Sequence, residues 1–502
     1  MKNPIIAGFS PDPSICRVGK DYYLVNSSFS YFPGVPIYHS YDLENWEFIG
    51  NILNRESQLP LKEVTHSNGI FAPTIRYHKG KFHLITTNVS HGGTFIVTAD
   101  LPTGPWSEPH YLPTEGIDPS LFFDENGHSY YLGTRPSRKG LHYEGNWEIW
   151  IQEIDLDTFE LLGVSTTIWQ GALRNVIWPE GPHLYRRGEY YYLLIAEGGT
   201  GDNHAITVAR SKEIDDWYQG NPRNPILTHR HLGKEYPIQN VGHGDLVETA
   251  DGEWFLVCLG QRPVKGASNL GRETFLANVV WENDWPVINP GLGHLVCSEE
   301  FENQNEVYDF KKGKPDCALF LRNPFEENYV FQQDGLDLIL AKETVADLST
   351  ISYLGFRQKT FFYRLQTEVT FQPVQLLEEA GLLILQSDSA SIRLVLRLES
   401  EGLLIQVRKI SIEGEEVLAS RKISAKIVKL EIQQENQELS FYFTESAEIS
   451  VLLISGVDSR FLSTEYAGGF VGNTFGVYGS SNGRASSTRA LFKNLTISEL
   501  EV

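Results

Sequence analysis

Five stretches of this chain share one layout, and that repeat constrains the fold more than any other feature. They are "DPSICRVGKDYYLV", "APTIRYHKGKFHLI", "DPSLFFDENGHSYYL", "GPHLYRRGEYYYLL" and "HGDLVETADGEWFLV". Each reads as a short apolar strand, a glycine turn and an aromatic strand. From first residue to turn glycine they run 12 to 19, 72 to 80, 118 to 127, 181 to 188 and 243 to 252, and successive copies start 60, 46, 63 and 62 residues apart. A period of that size, with several strands per unit, is the mark of a β-propeller, and five copies predict five blades. The innermost strand of a blade starts near the central channel. Asp12, Asp118, the Glu180–Gly181 pair and His243 are therefore predicted to converge at one end of the axis.

A second domain follows from where residue types stop. All ten tryptophans lie at or before Trp285 and all fourteen histidines at or before His294. The shift coincides with the Gly/Pro-rich "INPGLGHLVCSEEF", which sets the predicted domains at 1–297 and 298–502. Beyond it, "FYRLQTEVTF", "GLLILQS", "SIRLVLRLE", "LLIQVRKI", "VKLEIQQ" and "LSFYFTE" alternate or run apolar between polar turns. The expectation is an all-β chain, a propeller followed by a β-sandwich of jelly-roll, concanavalin-like type.

Charge and cysteine usage narrow the class. With 42 Lys+Arg against 64 Asp+Glu the formal net charge is −22, which argues against nucleic acid or an anionic membrane as partner. No stretch reaches the ~18 apolar residues of a membrane span. The N-terminus, "MKNPIIAGFSPDP", has one lysine and no apolar run of secretory length, so a cytoplasmic location is expected. Cys16, Cys258, Cys297 and Cys317 show no CxxC spacing and read as free thiols in a reducing compartment.

The predicted convergence gives the carboxylates a meaning that they lack singly. An Asp before Pro is commonly a turn residue capping local amides. Three carboxylates in one pocket are electrostatically costly and point to chemistry. Glycoside hydrolysis fits: one acid protonates the leaving oxygen while a carboxylate activates water from the other face of the sugar. Glu180 suits the acid, because Asp118 nearby raises its proton affinity. Asp12 suits the base, and Asp118 tunes and orients.

Several stretches together resemble glycoside hydrolase family 43, in the group of β-xylosidases and α-L-arabinofuranosidases with a C-terminal β-sandwich. They are "GFSPDPSICRVGKDYYLVNSSF", "YFPGVPIYHS", "GIDPSLFFD", "WPEGPHLYRRG", "IAEGGTGDNHAITVARS", "VGHGDLVE" and "LGRETFL", in order through the first domain. The resemblance implies Asp12 as general base, Asp118 as pKa modulator, Glu180 as general acid, inversion of configuration, and exo action from the non-reducing end. The Asn-Asp-Pro-Asn-Gly and Arg-Asp-Pro boxes of related retaining fructosidases are missing here.

The same resemblance assigns secondary residues. Arg272 binds sugar hydroxyls, Phe29 stacks on the sugar, His204 lines the pocket, and Phe470 reaches in from the sandwich to narrow it. His243 corresponds to an axial histidine that sits beside a water-ligated calcium in several relatives, although one imidazole cannot identify a hard cation. A satisfied core histidine is the alternative. No cofactor is required for the chemistry. The expected substrates are xylooligosaccharides or arabinoxylooligosaccharides, cleaved by β-xylosidase or α-L-arabinofuranosidase activity. The rivals are a propeller that binds sugar without cleaving it, and a sandwich acting as a separate carbohydrate-binding module. The sandwich has no tryptophan for a sugar platform, so it is expected to close the pocket or to build a homo-oligomer interface.

Overall fold

The computed structural model describes residues 2–298, 305–445 and 449–500. The first part holds five four-stranded antiparallel sheets, each with its strands in chain order. Their innermost strands are Ser14–Val18, Ile70–His78, Ile117–Phe123, Glu180–Arg187 and Gln239–Glu248. Each pairs with the aromatic strand of its repeat. The five touch in a closed cycle, from blade one round to blade five and back to blade one. The repeat is the propeller blade. At the hairpins, Gly19, Gly80, Gly127, Gly188 and Gly252 all have φ between +58° and +88°. A Cβ there would meet nothing within 4 Å, so the left-handed backbone is what demands glycine.

Among the described residues no strand is exchanged between blades five and one, and other groups close the ring. Residues 3–10 lie along the third strand of blade five, with Ile5 N–H donating to Thr274 O at 2.9 Å and Ser10 N–H to Arg272 O at 2.9 Å. Inside, the third residue of every repeat takes part: Ser14, Thr74, Ser120, His183 and Asp245. Thr74 Oγ1 donates to Pro119 O at 2.8 Å, and Ser120 Oγ to Pro182 O at 2.5 Å. Ile75 N–H donates to Ser14 Oγ at 3.1 Å, and Ser14 Oγ donates to Asp245 at 2.8 Å. Asp245 also accepts from Arg76 at 2.7 and 3.0 Å and from Tyr185 OH at 2.5 Å. Blades one, two, four and five thus meet on one buried carboxylate.

The second part is a sandwich of a nine-stranded and a six-stranded sheet. Their two burial patterns match the two kinds of strand in the sequence. Phe362–Phe371, in the larger sheet, alternates between buried and half-buried residues along its length. Glu379–Ser387 and Ala390–Glu399, in the smaller sheet, are buried almost throughout. These central strands have no free face: Leu383, Leu385, Val395 and Tyr478 pack with Phe9, Phe29 and Tyr31 of the propeller, while the edge strand Gly414–Lys422 is exposed. Tyr31–Phe32 also pairs with Phe320–Leu321 across the junction. The predicted boundary falls between the last blade strand, Trp285–Ile288, and the first sandwich strand, Glu306–Asp309. Residues 299–304 of that connection lie outside the described residues. The four cysteines are free, and no described helix is long and apolar enough to cross a membrane.

Removing the shared carboxylate tests this closure. Asp245→Ala leaves the Arg76 guanidinium buried without its counter-charge, which costs about 3–5 kcal/mol. Ser14→Ala loses the hydroxyl's bond to the Asp245 carboxylate but leaves the Arg76–Asp245 ion pair in place, about 1.5–3 kcal/mol. Thermal melts should rank wild type above Ser14→Ala and Ser14→Ala well above Asp245→Ala; equal melting of the two variants would show that closure does not depend on Asp245.

Candidate active site

The first residue of each repeat stands at the mouth of the channel, and the backbone there is unusual. Asp12, Asp118, Gly181 and His243 have φ of +51°, +52°, +59° and +38°. In blades two to five the inner strand carries an extra residue at this point, between Phe71 and Thr74, Ile117 and Ser120, Glu180 and His183, and Gly242 and Gly244. Pro73, Pro119 and Pro182 lack the N–H that a regular ladder needs, so the sheet bulges where they stand. The bulges turn first-position side chains into the channel. In blade four that position is glycine: a Cβ on Gly181 would lie 2.8–3.1 Å from the His243 ring. Blade four supplies its carboxylate one residue earlier, from Glu180.

These residues line one cavity of about 360 Å³. Asp12, Asp118, Glu180, His243 and Arg272 form its polar part, and Phe29, Phe71, Trp147, Trp178 and Phe470 its aromatic walls. A larger cleft, about 640 Å³, lies between residues 2–7 and the sandwich. Its two glutamates are Glu44 and Glu306, and Glu306 is bonded to Tyr308 at 2.7 Å and Lys359 at 2.5 Å. Among the described residues no acid–base set converges there.

The three carboxylates of the smaller cavity differ in proton affinity. Burial would raise all of them. At Asp12 it is outweighed by the Arg272 guanidinium, 2.9 Å from Oδ1, by His243, whose Nδ1 is 3.8 Å away, and by the Ser27 hydroxyl, which donates to Oδ2 at 2.7 Å. Asp12 is held below the ordinary range. Asp118 is pushed up to about 6 by burial, with His243 opposing and Asp12 adding to the rise. Glu180 is raised well above the usual glutamate range by burial, then by Asp118 and Asp12. One cavity thus holds a carboxylate kept ionised and a carboxylic acid kept protonated.

The remaining expected residues divide. Phe29 is buried, its ring stacked 6.1 Å from that of Phe470, with the Arg272 guanidinium 5.7 Å and 5.6 Å from the two rings. Phe470 arrives from the sandwich on a loop after the short helix Thr464–Ala467. His204 does not line the cavity, which corrects the sequence expectation. It is buried beside Gly242, where a Cβ would come within 2.2 Å of its Nε2, and its Nδ1–H donates to Asn240 O at 3.0 Å. The same stretch reaches the cavity through Gly199 and Thr200 instead.

Around His243 the donors do not make a cation cage. Among the described residues no three His, Cys, Asp or Glu side chains gather as metal ligands, and the nearest carboxylate, Asp12, is bonded to Arg272 and Ser27. A calcium ion seeks six to eight oxygens. The protein side chains at His243 do not supply them, so an ion beside this imidazole would draw its oxygens from water.

Trp147 and Trp178 were missed from the sequence. Trp147 begins a blade-three strand and reads like any core aromatic. Trp178 left a signal, two residues before Glu180 in "WPEGPH". It has φ +46° and packs on Gly199, where a Cβ would lie 3.0 Å from the indole.

Comparison with known proteins agrees with this geometry. Residues 1–286 match the family described as Glycosyl hydrolases family 43, and residues 307–498 the Beta xylosidase C-terminal Concanavalin A-like domain. A "Xylosidase/arabinosidase" of Butyrivibrio fibrisolvens is 48% identical over 99% of both chains. A non-reducing end alpha-L-arabinofuranosidase of Bacteroides ovatus is 36% identical over 98% of this chain and 93% of its own. The crystal structure of a xylan beta-1,4-xylosidase from Bacillus halodurans superimposes with a TM-score of 0.92 at 34% identity, covering 99% of this chain and 100% of that one.

The raised proton affinity of Glu180 has a consequence for stability. As pH rises past about 4.5, the unfolded chain gives up this proton while the folded one keeps it, so folding loses stability until the folded carboxyl also ionises. Glu180→Gln removes that cost. It should melt a few degrees above wild type at neutral pH, with the gain gone near pH 4. Equal melting at both pH values would mean that the folded carboxyl titrates as an ordinary glutamate.

Proposed function

Since the chain belongs to glycosyl hydrolase family 43 and is a glycoside hydrolase, we propose that it removes terminal xylose from the non-reducing ends of β-1,4-xylooligosaccharides with inversion. α-L-Arabinofuranosides are its second substrates. The observation that carries the proposal is the gathering of Asp12, Asp118 and Glu180 in one aromatic-walled cavity with the Arg272 guanidinium on Asp12, which favours a charged Asp12 and a protonated Glu180. Glu180 donates its proton to the departing glycosidic oxygen, while Asp12 takes a proton from the water that attacks the anomeric carbon from the other side. Asp118 keeps Glu180 protonated until the bond breaks. Arg272 and Ser27 fix the Asp12 carboxylate, so that no reorganisation is needed as the water loses its proton.

The exo mode is supported by the cavity walls. Phe29, Phe71 and Phe470 lie within about 6 Å of one another, with ring centroids 5.2 Å and 6.1 Å apart, and make one aromatic wall of the cavity. A cavity of about 360 Å³ with such a wall suits one terminal sugar ring resting on the aromatics. The second activity is favoured by the relatives, whose names join or divide xylosidase and arabinosidase at 48% and 36% identity. Both pentoses present similar hydroxyls, and discrimination depends on which sugar leaves buried polar groups unpaired.

Proton NMR during the first minutes of xylobiose hydrolysis should show α-xylose before mutarotation. Early β-xylose would make Asp12 a nucleophile, and no turnover of any aryl pentoside would leave a sugar-binding propeller.

Leaving-group dependence separates the acid from the base. Glu180→Ala should lose about 10²–10⁴-fold on xylobiose, whose departing oxygen needs a proton. It should stay much more active on a dinitrophenyl xyloside, whose phenolate leaves unaided. Asp12→Ala should fail on both, since nothing remains to activate water. The opposite pattern would exchange the two roles.

A further inference from the structure

Between Arg272 and Phe470 the two domains touch backbone to backbone. A Cβ on Gly472 would lie 2.3 Å from Leu270 O and 2.8 Å from Gly271 N, and one on Gly271 would lie 2.6 Å from Gly472 Cα. These neighbours are main-chain atoms, so no rotamer change could relieve the contact. Hydrogen bonds hold the seam on either side: Asn473 N–H donates to Asn269 O at 2.8 Å, and Phe470 N–H to Ser67 Oγ at 2.9 Å. The residue after Gly271 is Arg272. Its guanidinium sits against the Phe470 ring and donates to Asp12. Gly472 is therefore one backbone contact and one ion pair away from Asp12.

We infer that the Gly271–Gly472 seam is a positioning element for Asp12, through which the docked sandwich fixes Arg272 on that carboxylate; this rests on Asp12 being the base. Phe470 shapes the cavity with its ring, whereas the seam acts on the charge beside the base. The charged and titratable groups facing Asp12 are Arg272 and His243 from blade five, His204 from blade four, and Asp118 and Glu180. Residues 467–473 carry no charged side chain. Moving that loop can therefore change the proton affinity of Asp12 only by moving these groups, and Arg272 is the one that the loop touches. With Arg272 displaced, the Asp12 carboxyl loses its main counterweight to burial and rises.

Gly472→Ala is the test. It should lower kcat/KM on an aryl xyloside at least about tenfold and move the acid limb of the pH profile upward by about half to one unit, one unit being tenfold in proton affinity. Phe470→Ala keeps the backbone seam but removes the ring against Arg272, so it should raise KM and move the acid limb by less than Gly472→Ala does. Ser67→Ala, which releases only one end of the loop, should move the limb in the same direction by less, and it decides the matter if Gly472→Ala does not fold. Folded variants of both Gly472 and Ser67 with the wild-type acid limb would overturn the inference. The Asp12 titration can also be followed by carboxyl ¹³C NMR, assigned with Asp12→Asn, without any turnover. A wild-type protein inert towards aryl pentosides would thus sink the proposed activity, while the NMR shift in Gly472→Ala still decides the seam.

Discussion

Asp245 is the group on which the propeller depends. Five consecutive hairpin sheets have no inherent reason to form a ring, and among the described residues no strand from one end of the chain completes a blade at the other. The carboxylate supplies a centre that three other blades must reach, through Ser14, Arg76 and Tyr185. Being fully buried, it is tolerable only when all its donors are in place. That makes closure nearly all-or-none. It also explains the doubled Asp-Pro-Ser: the serine belongs to the ring, the aspartate to the cavity, and the proline between them breaks the ladder so that the two face different layers.

Stacking the cavity on that ring brings three carboxylates into a buried space, and a single guanidinium decides what each becomes. Arg272 contacts Asp12 directly, and at Glu180 it only partly offsets burial and two like charges. Had the cation stood beside Glu180, the acid would be ionised and the pocket would hold two bases. The left-handed backbone at Asp12, Asp118 and His243 belongs to the same design, because it is what turns these side chains inward. Strain and crowded charge are both concentrated where the chemistry is proposed.

Much of this was legible in the sequence, because blades repeat and strands alternate. The spacing of glycine turns revealed the blade count, and the two carboxylates in corresponding positions revealed the convergence. Glu180 was readable one residue out of register only because Gly181 fills the repeat position. What the sequence concealed was contact across blades. His204 follows a stretch that does line the cavity, yet Gly242 opens a space beneath the floor that takes its ring. Trp147 looks like core because a channel wall and a hydrophobic core both call for an aromatic on a strand. Phe470 carries no pattern of its own and was visible only through family resemblance.

The two apolar strands of the smaller sheet, "GLLILQS" and "SIRLVLRLE", bear on why the sandwich is joined to the propeller at all. Strands so continuous in apolar residues suit a sheet covered on both faces. One face is covered by the larger sheet, and the other by Phe9, Phe29 and Tyr31. Separated from the propeller, the sandwich would expose Leu383, Leu385 and Val395 to water, and a patch of that kind invites association. Phe29 takes part in both arrangements, belonging to this shared core and lining the cavity. Burying the sandwich face and building the aromatic wall of the pocket are therefore one packing event: the apolar contact that holds the domains together is continuous with the wall against which a sugar would rest.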